Sequence, residues 1–348
     1  MAAQKLEPHT RKRKAKPTLR TIAEATGFAV TTVSRALAGD ERIAQSTRDT
    51  VAEAARRLGY VPDRAARRLR TGRTQVVSLL LNTRHEFLGF THEMLSGITE
   101  GLRGTGFAVS VVPESLDEDR VATVRSILRN RLSDGVLMTR TEVFDPRVRL
   151  LLEEGFPFVS HGRTEFSTPH PWVDYDNEAF ARAAVRRLVA RGRRRIGIIL
   201  PEARYTFSQH LRYGFISAAA ETGVAHEIFP DLSLDTPTER IAAHLRDRMS
   251  RPDAPDGYVC VGEEMALATL GALADCGQVP GRDVDVIAKR ASPIFDSVRP
   301  RIETAYEDLR ATGRVMAQML LKRMDGAPPE ALNHLFQPEQ AFMGPTGH

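Results

Sequence analysis

Short hydroxyl side chains and one long cationic side chain stand together between residues 30 and 37. Thr31, Thr32, Ser34 and Arg35 lie on one side of a helical pattern whose other side is apolar. A guanidinium group can donate two hydrogen bonds to guanine O6 and N7, and threonine offers a methyl group to thymine or a hydroxyl to phosphate. These residue types at this spacing favour a helix that contacts DNA. The alternative is an ordinary polar helix face.

A second set of polar and aromatic side chains follows short apolar runs later in the chain. Ligands in open α/β folds bind beyond the carboxyl ends of the strands. A polar, sugar-sized ligand needs aromatic platforms and charged hydrogen-bonding groups. The residues of this type are Asn82, His85, Phe87, Phe90, Thr139, Arg140, His161, Arg163, Tyr205, Phe207, His210, Glu263, Lys289 and Arg290. Any one of them could be an ordinary loop side chain, but the set predicts a ligand site.

Three short helical patterns before residue 60 would position the first group. Thr18 can cap the first helix and Gly27 breaks it. Ser46 and Asp49 form a capping-box-like pair that would open the third helix, which Gly59 ends. The apolar faces consist of Leu19, Ile22, Ala23 and Thr26, then Val33, Ala36 and Leu37, then Val51, Ala54, Ala55 and Leu58. Two short helices joined by a glycine-containing turn, with a third packed across them, predict a helix-turn-helix unit.

Charge is divided unevenly along the chain. Residues 1–73 hold 17 Lys and Arg against 7 Asp and Glu, a net charge of +10, whereas the remaining residues carry −5. A basic head on an acidic body predicts that the head meets a polyanion. The basic run at 11–14 taken alone could be a solvated tail.

A short, very basic helical pattern follows the head. Asp63 can cap residues 64–70, in which Ala66 and Leu69 are apolar among four arginines. A helix so short should be marginal alone and better ordered against phosphates. An apolar wedge among arginines suits insertion into a minor groove. The alternative is a flexible basic linker.

The segments TVSRAL, LGYVPDRAARRLRTG and VVSLLLN follow one another in a recognisable order. Through them the chain resembles the lactose-repressor (LacI/GalR-type) family of bacterial transcription regulators, closely over residues 18–82 and more loosely to about residue 338. The segment LNTRHEFLGFTHEM also resembles regulators of α-glucoside and related sugar-uptake operons. The resemblance implies a homodimer that binds near-palindromic, double-stranded operator DNA and responds to a sugar-like small molecule.

The resemblance also assigns roles to residues of the head. Base reading would fall to Val30, Thr31 and Arg35, with Thr32 and Ser34 nearer the phosphates. The minor-groove wedge would be Leu69, supported by Ala66. The predicted DNA-contacting set is Thr18, Val30, Thr31, Thr32, Ser34, Arg35, Ala66, Arg67 and Leu69.

From residue 75 onward, apolar runs alternate with amphipathic stretches. The strand-like runs are 76–81, 107–112, 135–138, 156–160, 196–200, 257–261 and 284–287, with helical stretches such as 178–191 and 265–275 between them. This alternation predicts parallel sheets covered by helices. We therefore expect an α/β protein, with an all-α helix-turn-helix head and a body of two Rossmann-like lobes of the periplasmic-binding-protein type.

Domain boundaries follow from these patterns. We expect a disordered basic tail at 1–17, a helix-turn-helix domain at 18–62, a hinge helix at 63–74, a ligand-binding and dimerisation domain at 75–338 and a flexible tail at 339–348. The lobes would comprise about 75–174 plus 304–335, and about 175–303. Dimerisation should use helices flanking the cleft, such as 88–104 and 265–276, and no leucine heptad for tetramerisation follows residue 323.

Departures from the family pattern bear on the ligand. Leu211 stands where the family often has arginine, and Lys289 and Arg290 replace a Tyr-Asp pair. Gly262 and Glu263 replace an Asn-Asp pair. Cations in place of a sugar-binding carboxylate favour a ligand with an anionic group. The alternative is a neutral glycoside, with the cations paired to carboxylates of the protein.

Other functional classes find less support. No G-x-G-x-x-G follows the first strand, and no P-loop, G-x-S-x-G, H-E-x-x-H or C-x-x-C occurs, so we expect neither an enzyme nor a bound cofactor or metal. No apolar stretch suits a signal peptide or membrane span, which disfavours a transporter's solute receptor and favours a cytoplasmic location. The expected mode is repression relieved by an inducer, with a corepressor as the alternative of opposite sign.

Overall fold

The computed structural model describes residues 17–60, 72–82, 89–114, 119–338 and 342. The chain divides into two compact units, Met1–Thr74 and Gln75–His348. The predicted hinge residues Ala66, Arg67 and Leu69 lie outside the described residues, as do His85 and Phe87 of the predicted ligand site.

The described part of the first unit contains three helices, Leu19–Thr26 (α1), Val30–Leu37 (α2) and Gln45–Leu58 (α3). The Thr18 hydroxyl accepts a hydrogen bond from the Thr21 amide, which confirms the predicted cap. Gly27 and Gly59 end their helices with positive φ, a conformation that costs glycine little. The three apolar faces meet in a small core around Ile22, Val33 and Val51, which confirms the predicted pattern.

The predicted start of the third helix is wrong. The helix begins at Gln45, and its N-cap Ala44 makes no side-chain cap bond. Ser46 therefore lies inside the first turn instead of capping it. The Asp49 carboxylate accepts a hydrogen bond from the Gln45 side chain, so it is used within the helix.

The second unit contains two parallel sheets. The strands of the first are Val76–Leu81 (β1), Ala108–Pro113 (β2), Gly135–Met138 (β3), Phe158–His161 (β4), Trp172–Tyr175 (β5) and Asn333–Phe336 (β11), in the order β11-β5-β4-β3-β1-β2. Those of the second are Arg195–Ile198 (β6), Ala225–Ile228 (β7), Gly257–Cys260 (β8), Asp285–Arg290 (β9) and Glu303–Tyr306 (β10), in the order β10-β9-β8-β6-β7. Each sheet is the centre of one lobe.

Helices cover both faces of each sheet. They are Gly89–Gly101 (α4), Arg120–Asn130 (α5), Pro146–Glu153 (α6), Asn177–Ala190 (α7), Thr206–Thr222 (α8), Thr238–Met249 (α9), Glu263–Asp275 (α10) and Leu309–Met324 (α11). In the first lobe, one apolar cluster lies under α4 and α11 and another under α5 and α6. A third, larger cluster fills the second lobe. The expected two-lobed α/β body is confirmed.

The chain crosses between the lobes after Tyr175 and again after Tyr306. The predicted return to the first lobe at residue 304 is early, because Glu303–Tyr306 still pairs with β9 of the second sheet. Strand β11 continues to Phe336, one residue beyond the predicted end of the first lobe. Strands β5, β7, β10 and β11 were absent from the sequence-based set, and each is only four residues long.

Helices α4 and α11 approach each other at glycines. A Cβ added to Gly97 would lie 2.0 Å from the Arg310 carbonyl oxygen, and one added to Gly313 would lie 2.3 Å from the Met94 carbonyl oxygen. Because neither backbone can move without separating the helices, these two positions require glycine. The two helices thus pack closely against each other in the first lobe.

Candidate functional site

Helix α2 presents the predicted DNA-contacting side chains to solvent. Val30, Thr31 and Arg35 are exposed, and Thr32 and Ser34 are half-buried on the same helix. Val30 is 43% exposed, so its apolar side chain is accessible on this surface. The buried face of the helix, Val33 and Ala36, packs into the core and fixes this orientation.

Arg35 is oriented by a nearby carboxylate. Its Nε lies 4.0 Å from Asp40 Oδ2, while 61% of its side chain stays exposed. Asp40 is itself held by Arg42, whose guanidinium donates to both carboxylate oxygens. This pairing with Arg42 lowers the pKa of Asp40 to about 2. The carboxylate is thus ionised at neutral pH and sits beside Arg35 at the end of the helix. Thr18, the remaining described member of the predicted set, is exposed at the start of α1.

A cavity of about 170 Å³ lies between the lobes at the carboxyl ends of both sheets. Residues that follow the strands of both sheets form its walls, which is the usual place for a ligand in open α/β folds. Seven residues of the predicted ligand site line it: Phe90, Arg140, His161, Phe207, Glu263, Lys289 and Arg290.

The other described members of the predicted set lie around the cavity without lining it. They are Asn82, Thr139, Arg163, Tyr205 and His210. Asn82, Thr139 and Tyr205 are buried. Arg163 donates to Asp174 Oδ2 at 2.8 Å, stacks on the ring of Trp172 and lies 3.4 Å from His210 Nδ1. Arg163, through Asp174, and Tyr205, whose ring stacks on Phe207, thus contact residues that line the cavity.

Lys289 sits at the end of β9 and is engaged by the protein. Its Nζ lies 2.8 Å from Glu307 Oε2 and donates to Asn177 Oδ1 at 3.0 Å. The ammonium group also lies over the ring of Tyr175. Lys289 and Glu307 expose only 11% and 9% of their side chains, so the pair is largely withdrawn from water.

Arg290 follows Lys289 but points to different partners. Its Nε donates to the Thr304 hydroxyl at 3.2 Å, and its Nη1 donates to the Ser292 carbonyl at 2.9 Å. The guanidinium lies 5.4 Å from the centre of the Tyr306 ring. The side chain is therefore fixed along the wall of the second lobe.

Glu263 is buried and holds two loops in place. Its Oε1 accepts hydrogen bonds from the amides of Ala291 and Ser292 and from the Ser292 hydroxyl. Its Oε2 accepts from the Gly89 amide, the first residue of α4 in the other lobe. A carboxylate with this many protein donors organises the cavity edge, although it also lines the cavity.

His161 lies at the end of β4 with its ring facing the cavity. Burial lowers the pKa of His161, and the negative charge of Glu307 only partly opposes this effect. Its Nε2 lies 3.8 Å from Glu307 Oε1, beyond hydrogen-bonding distance, and has no hydrogen-bond partner among the described residues. The ring is packed against Phe90, with ring centres 5.8 Å apart. A neutral imidazole with a free nitrogen can donate or accept a ligand hydrogen bond.

Several cavity residues were not in the sequence-based set. The polar ones are Asp174, Asn177, Thr236, Thr238, Glu264 and Glu307, and the apolar ones are Leu234, Ile241, Val261, Met265, Ala291 and Leu309. Asp174 and Asn177 lie at the end of β5 and just beyond it, and the sequence patterns did not predict this strand. Leu234 and Thr236 lie in an irregular loop after β7, a strand that sequence reasoning did not find.

The cavity contains both signs of charge. Three cations line it, Arg140, Lys289 and Arg290, together with four carboxylates, Asp174, Glu263, Glu264 and Glu307. In the ranges that the structure describes, no group of three metal-ligating side chains is close enough to hold an ion. No described helix is both long and apolar enough to cross a bilayer.

Comparison with known proteins decides the family. Residues 18–63 match the family described as bacterial regulatory proteins, lacI family, and residues 185–342 match the periplasmic binding protein-like domain. The transcriptional regulator AglR of Rhizobium meliloti (strain 1021) is 31% identical, over 87% of this chain and 86% of its own. The chain belongs to the lacI family of bacterial regulatory proteins. It is therefore a DNA-binding transcription regulator with a ligand-binding body.

Other relatives agree with this assignment. The transcriptional regulator RafR of Escherichia coli is 29% identical over 92% of this regulator and 96% of its own length. A structure of the transcriptional regulator CelR in complex with cellobiose superimposes with a TM-score of 0.68, is 26% identical and covers 95% of this regulator and 100% of its own chain. The lac repressor dimer bound to operator has a TM-score of 0.76 at 19% identity, over 93% of this regulator and 97% of its own chain, which supports the fold.

Proposed function

We propose that this regulator is a homodimeric repressor that binds a near-palindromic operator and leaves it when an uncharged sugar fills the cavity between the lobes. The family establishes a DNA-binding regulator. The dimer, the sign of the response, the residues and the charge of the effector are the proposal. A corepressor would act through the same cavity with the opposite sign.

On the DNA side, the exposed face of α2 would read the major groove. The exposure of Thr31 and Arg35 and the buried packing of Val33 support this assignment. Val30, exposed and apolar, would contact a thymine methyl group. Thr18, Thr32 and Ser34 would contact phosphates, while Ala66, Arg67 and Leu69 of the proposed hinge at 63–74 would enter the minor groove.

On the effector side, a sugar is supported by the mixture of rings and polar groups. Phe90 and Phe207 offer ring faces on which the C–H face of a sugar can pack. Asp174, Asn177 and His161 offer hydrogen-bonding groups for hydroxyls. The CelR structure was solved with cellobiose, so a relative with the same fold holds a neutral sugar.

The observation that carries the choice of an uncharged effector is the Lys289–Glu307 pair. An anionic group could replace Glu307 as the partner of Lys289 only by leaving that carboxylate buried and unpaired, which costs several kcal/mol. Carboxylates also outnumber cations in the lining of the cavity, four to three, which disfavours an anion. The substitution of a cation for the family's carboxylate thus creates an internal ion pair instead of an anion site.

Calorimetric titration of the full-length protein tests this choice. Neutral disaccharides such as cellobiose, maltose and sucrose are compared with glucose 6-phosphate and glucuronate. We expect a neutral sugar to bind and both anions to fail. Binding of only the anions, lost on Lys289→Met, would favour the anionic alternative. Chemical conversion of a bound sugar would contradict our proposal that the body binds without catalysis.

We also propose that the regulator acts in the cytoplasm, because that is where its operator is found in a bacterium.

Helices α4 and α10 flank the cleft and correspond to the predicted dimerisation segments 88–104 and 265–276. Sedimentation of the full chain, with and without operator, measures whether the DNA-bound species is a dimer.

A further inference from the structure

The segment after β3 makes several direct polar contacts from the first lobe to the second. Arg140 Nη1 lies 2.6 Å from Asp235 Oδ1, and both side chains are about one-tenth exposed. The Thr206 amide donates to the Thr141 carbonyl at 3.2 Å, and the Val143 amide donates to the Arg204 carbonyl at 3.1 Å. We call residues 139–143 the contact segment.

The contact segment has an unusual backbone. Arg140 has a φ of +53°, in the left-handed region that side-chain-bearing residues avoid. Such a conformation persists where surrounding interactions determine it. Two guanidinium groups hold the carbonyl oxygen of Arg140. Arg120 Nη2 and Arg147 Nη2 each donate a hydrogen bond to it at 3.1 Å.

Both guanidinium groups belong to a buried ionic cluster of the first lobe. Arg147 is fully buried and donates through Nε and Nη2 to the two oxygens of Asp145, through Nη1 to Glu114 and through Nη2 also to the Thr139 carbonyl. Arg120 pairs with Glu142 at 2.6 Å and lies 3.6 Å from Glu114. The cluster thus contacts the contact segment at three residues, by hydrogen bonds to the carbonyls of 139 and 140 and by an ion pair with 142.

We infer that Arg147 is a positioning residue for closure of the lobes: through the carbonyl groups of Thr139 and Arg140, it holds the contact segment in the shape that pairs Arg140 with Asp235. A buried ion cluster by itself adds little stability compared with an apolar core. Here the geometry gives it a second role, because Nη2, which also donates to Asp145, reaches the backbone that faces the other lobe.

The inference rests on the proposed function only in one respect, namely that an effector in the cavity is what closes the lobes. Closure itself is measurable without any sugar. The amides of Val143 and Thr206 bond across the lobes, so their hydrogen exchange reports the open population of the full-length protein. Failure of the sugar titration would therefore leave this inference standing.

The test compares Arg147→Lys with a matched control, Arg248→Lys. Arg248 is also buried, pairs bidentately with Glu227 and donates to the Asp253 carbonyl, but it lies on α9 away from the cavity. Lysine keeps the charge and loses the planar set of donors in both variants. We expect Arg147→Lys to speed exchange of the Val143 and Thr206 amides about tenfold, the size expected from one lost charge-assisted hydrogen bond. Arg248→Lys should leave these amides unchanged.

A double variant distinguishes positioning from a purely structural role. Asp235→Asn removes the partner of Arg140 and should speed the same two amides. If Arg147 acts through Arg140, Arg147→Lys with Asp235→Asn should speed exchange by less than the product of the two single effects. Independent, multiplicative effects would overturn the inference. So would an Arg147→Lys effect on β1 and β3 amides that equals the effect at Thr206, because this would signal loosening of the whole lobe.

Discussion

Lys289 Nζ and Glu307 Oε2 lie 2.8 Å apart at the wall of the cavity, where the last strand of the second sheet turns back to the first lobe. Lys289 is the last but one residue of β9, and Glu307 follows β10 directly. Because the two strands are paired neighbours, their ends bring the charges together. The pair thus places a positive and a negative charge side by side at this wall of the cavity.

Removing the carboxylate of this pair should change the ligand preference. Glu307→Gln leaves Lys289 without its ion partner, so an anionic sugar gains a free cation and a neutral sugar loses an ordered wall. We expect weaker calorimetric binding of the neutral sugar, by about tenfold for a loss of about 1.4 kcal/mol, and new binding of glucuronate. Glu227→Gln removes a carboxylate that pairs with Arg248 in the same lobe, and should leave both affinities unchanged. Unaltered neutral-sugar binding in Glu307→Gln would contradict a role for the pair.

Operator recognition should depend on Arg35 more than on other exposed arginines of the head. Arg35→Ala should weaken binding to an operator selected from a random DNA pool by about 1–3 kcal/mol and relax the preference at one base pair. Arg57→Ala, at the exposed end of α3, removes the same charge from a different surface. Fluorescence anisotropy at one fixed salt concentration measures both variants. Equal losses for the two would mean that Arg35 supplies only charge.

Close packing of α4 on α11 gives a prediction about stability. Gly97→Ala would press a Cβ against the Arg310 carbonyl oxygen and should destabilise the body by about 1–3 kcal/mol, as overpacking does. Gly271→Ala, in α10, meets nothing within 4 Å and should instead stabilise its helix by up to about 1 kcal/mol. Denaturant unfolding of the two variants should therefore shift in opposite directions. A stable Gly97→Ala protein would mean that the helices can separate without cost.

Much of the head follows from local sequence. Thr18 caps α1, and the i, i+3, i+4 spacing of apolar residues within each helix gives each helix one apolar face, because both effects act within a few residues. The three faces meet around Ile22, Val33 and Val51. The prediction that Ser46 and Asp49 open α3 as a capping pair was wrong, because the helix begins at Gln45, one residue before Ser46. The Gln45 side chain donates to the Asp49 carboxylate inside the helix. The Ala44 carbonyl accepts the first helical hydrogen bonds, and its side chain makes no cap.

The cavity followed only partly from the sequence. Strand-end reasoning found Phe90, His161 and Lys289, because the parallel sheet brings carboxyl ends to one edge. It missed Glu307, whose partnership with Lys289 depends on pairing between β9 and β10, and β10 carried no strong strand pattern. The ion pair between Arg140 and Asp235 is equally non-local, because its two residues lie 95 positions apart in the sequence and belong to different lobes.

The buried imidazole of His161 predicts a dependence of stability on pH. Burial lowers the pKa of His161 in the folded protein below its value of about 6.5 in the unfolded chain. The unfolded state then binds the proton more readily, so stability is full above pH 6.5 and falls as pH drops through the folded pKa, by at most about 1.4 kcal/mol per pH unit for one proton. His161→Gln should flatten this part of the stability curve measured by denaturant unfolding.

Exposed His92 provides the matched control for that measurement. Its side chain is 76% exposed, so His92→Gln should leave the slope between pH 6.5 and 5 as in the wild type. Buried His170 and half-buried His210 also have pKa values lowered by burial and contribute to the remaining slope. An unchanged slope in His161→Gln would contradict our assignment of this pH dependence to the buried imidazole of His161.

Release of operator DNA by a neutral sugar is the most direct test of the proposed function. The full-length protein is bound to labelled operator, and fluorescence anisotropy follows its affinity as cellobiose, maltose or sucrose is added. We predict that a neutral sugar bound in the cavity lowers operator affinity by about 5- to 150-fold, the usual range of coupling between two sites, and that Phe207→Ala shifts the response to higher sugar concentration. Operator affinity that stays constant under every neutral sugar, but falls with glucuronate or glucose 6-phosphate, would contradict the proposal.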